Sequence, residues 1–253
     1  MNQILVTEKL YITPELKRKK KIYKFYFILS VFIVLILTSF YIYAEYDRNK
    51  SAEVSQQLLD DMNKTLEGTT EDTTIAQDDV LLVVLNGTKE EAQQEEQQSS
   101  VTTANEKAEW KTSAAGYKYK IIATVEVPKI SLKYTVVQGQ SGSIEETESL
   151  LKSSPVKYHG YDPNEVGNFC IVGHNYRNSK FFSKVPNLTV GDTVKLTDLT
   201  GRTINYEVYD KHTVDPSDTK DTTQLTGGRK ELTLITCTDD SKLRVIVRCK
   251  EVK

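Results

Sequence analysis

Three residues in the C-terminal half of the chain have the types and settings for chemistry on a carbonyl. Cys237 ends the apolar run Leu232-Thr233-Leu234-Ile235-Thr236, Arg244 opens another strand-like run seven residues later, and Gly173-His174-Asn175 closes an earlier one, Phe169 to Val172. A cysteine attacks as the thiolate, and with an ordinary pKa of about 8.5 it gains from a neighbour that takes its proton. An imidazole can do so and can then protonate a departing amine. A guanidinium can donate hydrogen bonds to the oxyanion that forms when sulfur adds to a carbonyl, or hold substrate carbonyls in place. The chemistry this trio suits is acyl transfer through a thioester, which requires neither a metal nor a cofactor.

Polar residues stop each run, Thr238-Asp239-Asp240 after the cysteine and Asn175 after the histidine, so all three side chains are expected at a rim that substrate can reach. The remaining candidates have plainer readings. Cys170 and Cys249 lie within strand runs and read as small buried hydrophobes, and a bridge between them would need their strands adjacent. His159 falls in a Tyr-His-Gly loop, and His212 follows a strand ending at Tyr209. Arg248 shares a strand face with Arg244 farther from the rim, and Arg177, in the loop after His174, could contact substrate. Three histidines and three cysteines scattered in this way lack the close ligand pairs of a structural zinc site.

The elements that must hold these residues are short strands. Order begins near Tyr117, with runs at 121–127 and 130–137, a GQSGS turn, a short helix from Ile144 to Lys152, and strands at 169–172, 193–196, 204–209, 231–236 and 243–248. Turn residues punctuate them and helix is sparse, which predicts one all-β barrel or sandwich over residues 117–253.

Residues 25–43 carry no charge over nineteen positions, and as a helix at about 1.5 Å per residue they reach roughly 28 Å, close to a bilayer core. Residues 1–43 hold seven Lys/Arg against two Glu, a balance of +5, so the rest of the chain must carry −7 to reach the formal −2. The basic residues precede the apolar stretch, and Glu45 and Asp47 follow it. That asymmetry predicts a cytoplasmic basic tail at 1–21, a transmembrane helix at 22–43, and everything beyond outside the cell membrane. The alternative, a cleaved secretory signal, has a shorter apolar core of about 7–15 residues and small residues at the cleavage site, whereas Ile42 stands two before Ala44. The acidic remainder gives no support to nucleic-acid binding.

Residues 44–116 read as an extracellular stalk, partly helical or disordered. Val54, Leu58, Met62 and Leu66 recur every four residues, a thin helical stripe, and EEAQQEEQQSS is too polar to build a core. The six aliphatics Val80 to Leu85 stand out from it without an evident role.

From about Tyr119 to Val252 the chain resembles a sortase, the membrane-anchored cysteine transpeptidase of Gram-positive bacteria. VPKISLKYTVVQG resembles the family's opening strands, GNFCIVGHNYRNSKFFSKVPNLTVGD its histidine block and LTLITCTDDSKLRVIV its cysteine-arginine block, in the family's order. The resemblance implies an eight-stranded β-barrel in which His174, Cys237 and Arg244 carry catalysis. It further implies cleavage of an LPxTG-like sorting signal on secreted proteins, with transfer to an amine of a peptidoglycan precursor or, in pilus-building members, to a pilin lysine. A hydrolytic cysteine peptidase would share the thiol and the imidazole. Pilus-building members often carry an Asp-Pro-aromatic lid ahead of the domain. Residues 44–118 hold none, Asp162-Pro163 is followed by Asn164, and no second apolar segment precedes Lys253, so cell-wall anchoring is the expectation.

Overall fold

The computed structural model describes residues 14–71, 104–106 and 108–252, so the run Val80 to Leu85 lies outside the described residues. Two compact units are present, Met1–Lys50 and Ser51–Lys253. Helix α1 (Pro14–Glu71) contributes to both. In the first unit the large apolar side chains from Phe25 to Tyr43 are exposed, a surface unfavourable in water and suited to lipid. Ser30 and Thr38 return their hydroxyls to backbone carbonyls of the preceding turn, which removes the polar cost of their position. This is a helix long and apolar enough to cross a membrane.

The second unit is a β-barrel. Its strands are β1 (Lys111–Thr112), β2 (Lys118–Val127), β3 (Leu132–Gly139), β4 (Val156–His159), β5 (Gly167–Val172), β6 (Thr193–Asp198), β7 (Thr203–Val214), β8 (Lys230–Cys237) and β9 (Arg244–Glu251). They hydrogen-bond in the order β1-β2-β3-β4-β5-β8-β9-β7-β6, and β2 also pairs with β6 from Ala123↔Asp198 to Glu126↔Lys195. That pairing closes eight strands, β2 to β9, into a ring and leaves β1 appended to β2. β3–β4 and β5–β8 are parallel and the other pairs antiparallel. Inward-pointing side chains fill the interior, among them Val125 and Val127 of β2, Phe169 and Ile171 of β5, Leu232 and Leu234 of β8, and Val245 and Val247 of β9.

A second apolar cluster lies outside the ring. Leu58 and Met62, with Val54 and Leu66 at its edge, pack on Ile121, Val137, Val156 and Leu199 and on Leu150 and Leu151 of α2 (Ile144–Leu151). Ser55 Oγ donates to the Ser153 carbonyl, and Lys111 pairs with Asp61. The four-residue stripe is thus the seam by which α1 covers the barrel. The boundary read from the sequence at 116/117 falls inside this unit, because a stripe of apolar residues finds its partner surface only once the barrel exists.

Two strands are longer or newer than the sequence suggests. His159 ends β4 instead of sitting in a loop: Val137↔Val156 ties β4 to β3, and Gly160, at φ +99, turns the chain away. A side chain at Gly160 would meet the Asn168 carbonyl at 2.1 Å. β7 runs on past Tyr209 through His212 to Val214, paired with β9 as far as Val214↔Arg244.

Candidate active site

Strand register assembles the three candidates. β5 and β8 run parallel to Val172↔Ile235, and the Gly173 amide still donates to the Ile235 carbonyl at 3.0 Å, which brings His174 abreast of the end of β8. Cys237 and Arg244 are direct partners in the antiparallel β8–β9 pair. Neighbouring strands lie about 4.8 Å apart, so His174, Cys237 and Arg244 occupy adjacent tracks at one end of the barrel.

Side-chain alternation puts them on the same face. Phe169 and Ile171, Leu232 and Leu234, and Val245 and Val247 all point into the core. By the period of two, Cys170 and Val172, Ile235, and Ile246 point outward, and these four form a separate apolar patch. His174, Cys237 and Arg244 continue the outward series by one step on each strand. The inward face of β8 is core, while its outward face is polar at Glu231 and Thr233 and turns apolar only at Ile235, which floors a cleft.

That cleft, about 380 Å³, has Val172, Ile235 and Ile246 on its floor with Arg244 at one end. α2 supplies one wall through Ile144, Thr147, Glu148 and Leu151, and the β7–β8 loop supplies another through Pro216, Asp218, Asp221 and Thr222. α2 is set in place by its start. Ser143 caps it by accepting the Glu146 amide, while the buried Glu146 carboxylate reaches back to accept the amides of Gln140, Ser141 and Gly142. Gly139 leaves room for that carboxylate, since a Cβ there would lie 2.2 Å from Glu146 Oε2.

The opposite wall is tied down from behind. His212 lies between two carboxylates, Nδ1 at 2.9 Å from Asp210 and Nε2 at 2.9 Å from Asp221. Burial disfavours its charge, but the hydrogen bonds and charges of Asp221 and Asp210 outweigh that and raise its pKa above the usual imidazole value. Arg248 reaches Glu231 at 2.9 Å and Asp221 at 3.7 Å and lies over the Tyr209 ring. Asn168 donates to the Asp221 carbonyl, and its backbone exchanges hydrogen bonds with the Gln224 side chain. His212 and Arg248 thus hold the loop and are not brought together with the candidate trio His174, Cys237 and Arg244.

At the site itself, burial lowers the His174 pKa, Glu148 works against that shift, and Lys152 adds to it. Burial thus favours the neutral imidazole, the form that can accept a proton. Its ring lies 5.1 Å from that of Tyr176, which meets Phe181 edge-on, and Phe181 stacks on Tyr134. Gly173 is required by close approach, because a Cβ would press into the Phe182 ring at 2.5 Å. Arg177 bonds Ser241 at 2.9 Å, linking the loop after His174 to the loop after Cys237.

Cys170 and Cys249 are free and buried, and β8 separates their strands, so they form no bridge. Burial pushes the Cys170 thiol up to about 12 and the Cys249 thiol higher still, which makes both inert as nucleophiles. Cys237 is partly exposed. The sequence did not point to the two cleft walls or to Asn175, whose side chain donates to the Cys237 carbonyl. The polar residue directly after the histidine was the one available signal.

A model of the Sortase domain matches residues 125–252. Among solved structures, a sortase D5 transpeptidase of Clostridium perfringens is similar at 24% identity and a TM-score of 0.51, over 80% of this chain and all of that one. Sortase C of Streptococcus pneumoniae is similar at 20% identity and a TM-score of 0.51, over 77% of this chain and 97% of that one. No curated protein sequence matches the chain.

Proposed function

This chain belongs to the sortase family, and on that premise we propose that it cleaves an LPxTG-like sorting signal in secreted proteins and transfers the acyl group to an amine of a peptidoglycan precursor. The observation that carries the reading is that Cys237, His174 and Arg244 fall on the outward side of adjacent strand ends, one step beyond Ile235, Val172 and Ile246 of an apolar-floored cleft that Arg244 also lines. An extended peptide lying on Val172, Ile235 and Ile246 would bring its scissile carbonyl to that end.

Sulfur adds to the carbonyl carbon as the Cys237 proton passes to neutral His174. The oxyanion that forms meets the Arg244 guanidinium. His174 returns its proton to the amine nitrogen, the C–N bond breaks, and a thioester on Cys237 remains. A primary amine then attacks the thioester and gives its proton to His174. The Cys237 thiolate leaves and is reprotonated, and a new amide bond has replaced the old one.

In this reading α1 anchors the enzyme in the cell membrane, with the basic segment Lys17 to Lys24 cytoplasmic and the catalytic unit outside. The test offers the enzyme a sorting peptide with water alone, with triglycine, or with a lysine-containing peptide blocked at its N-terminus. Amide product with triglycine supports cell-wall anchoring. Amide product with the lysine peptide alone would instead make this a pilus-building enzyme, and free acid in all three arms would make it a peptidase.

A further inference from the structure

The β5–β8 ladder ends at Val172↔Ile235, two residues short of each reacting side chain. One more backbone bond, from the Gly173 amide to the Ile235 carbonyl, follows it, and beyond Gly173 no backbone hydrogen bond among the described residues ties the imidazole-bearing loop to the thiol-bearing strand end. Side chains take over. Thr236 Oγ1 donates to the Gly173 carbonyl at 2.8 Å, and Asn175 reaches across from the loop. Its Nδ2 donates to the Cys237 carbonyl at 2.9 Å and to Asp239 Oδ1 at 3.0 Å, and its Oδ1 accepts the Arg177 amide at 2.9 Å. Both amide hydrogens and the oxygen are engaged, and the main chain of Asn175 is itself held by a bridge to Phe181.

We infer that Asn175 is a positioning residue: its carboxamide fixes the Cys237 peptide plane, and so sets the thiol against His174, in a place that only a double hydrogen-bond donor fills. Three features support this. Asn175 directly follows His174 in the chain and its side chain bonds the Cys237 carbonyl, so a single residue links the two that must meet. The acceptors facing Nδ2 are a carbonyl and a carboxylate, so a carboxylate in its place would be repelled by both. The peptide cleft is formed by other residues, Val172, Ile235, Ile246 and α2, so the alignment of the reacting groups can be lost while peptide binding persists. The inference rests on Cys237 and His174 being the reacting pair.

The experiment uses the full chain in detergent micelles, with Asn175→Asp, Asn175→Ala and the double variant Asn175→Asp/Asp239→Asn, assayed with a sorting peptide and triglycine. Misplacing reacting groups by about 1 Å can cost on the order of 10²-fold. Accordingly, kcat at neutral pH should fall roughly 10²-fold in both single variants. KM for the peptide should stay within about two-fold of the parent, since the cleft is untouched. As pH falls, the carboxyl introduced by Asn175→Asp regains a proton it can donate, so the ratio of its kcat to that of the parent should rise. The midpoint of that rise should lie above the ordinary carboxylate value because Asp239 is adjacent, and Asp239→Asn should move it down. A merely structural role predicts no such pH-dependent recovery. Should Asn175→Asp fail to fold, the kcat-against-KM split of Asn175→Ala decides. Single variants with kcat within about three-fold of the parent, or a KM that rises as much as kcat falls, would overturn the inference. Undiminished turnover in Cys237→Ala would overturn the nucleophile assignment instead.

Discussion

Met62 lies at the centre of the seam between α1 and the barrel and is 1% exposed. Replacing it with alanine removes most of a buried side chain and leaves a cavity, a change that typically costs about 2–5 kcal/mol. The lower part of that range applies here, roughly 2–3 kcal/mol, because a peripheral helix can settle toward the barrel and alanine adds a few tenths of helix propensity. In a unit of about 200 residues each kcal/mol lowers Tm by about 2–4 °C, so the expected drop is roughly 5–10 °C. Thermal unfolding of a fragment beginning at Ser51 reads it directly, with Glu53→Ala on the exposed side of the helix as a control expected within about 0.5 kcal/mol. The effect should reach function as well. Leu151 belongs to the same cluster as Met62 and also lines the peptide cleft, so KM should rise in the Met62→Ala variant while kcat changes less. A fragment cut at residue 115 loses the whole seam along with β1 and should be less stable than the Met62→Ala variant. A Met62→Ala protein whose Tm matches the parent within about 1 °C would refute the packing of α1 on the barrel.

Arg244→Lys keeps the charge but loses the planar fork. Thioester formation should slow by roughly 10²-fold, while alkylation of Cys237 by a small reagent in the resting enzyme continues at nearly the parental rate. Parallel loss of both would assign Arg244 to thiol ionisation instead. Cys170→Ala and Cys249→Ala should each cost about 1 kcal/mol in urea unfolding and leave turnover intact, whereas Cys237→Ala should abolish turnover with little change in stability. His212 has a raised folded pKa, so its clasp on Asp210 and Asp221 stabilises fully below the ordinary imidazole value and is lost as pH rises through the raised one. Over that window the parent should lose stability with rising pH and His212→Gln should not, as checked by unfolding midpoints from pH 5.5 to 8.5.

The strands that carry the trio were legible because alternation and turn residues coincide there: β2, β3, β5, β8 and β9 were each found to within a few residues. Legibility failed where a strand's outer face is polar. β4 offers one apolar side chain, Val156, before Lys157, Tyr158 and His159, and the second half of β7 reads Asp210-Lys211-His212-Thr213. Neighbouring strands make these segments extended, and no local pattern records that. The same holds for the site. The thiol, imidazole and guanidinium stood out as residue types at strand ends, but the cleft beside them is tertiary. Its floor is the outward half of β5, β8 and β9, one wall depends on Glu146 reaching back to its own loop, and the other on His212, Asn168 and Arg248 reaching to Asp221. The stripe at Val54, Leu58, Met62 and Leu66 was visible as a helix face, while the surface it covers was not.

The central claim, a thioester on Cys237 resolved by an amine, is tested most directly by mass spectrometry of the enzyme itself. The full chain is incubated with a sorting peptide and no added amine, quenched in acid, weighed intact and then digested. The account predicts an added mass equal to the acyl part of the peptide, mapped to Cys237, absent in Cys237→Ala, and discharged on adding triglycine with one equivalent of amide product. An acyl group on Cys170, Cys249 or another residue, or peptide cleavage by a Cys237→Ala enzyme, would contradict it.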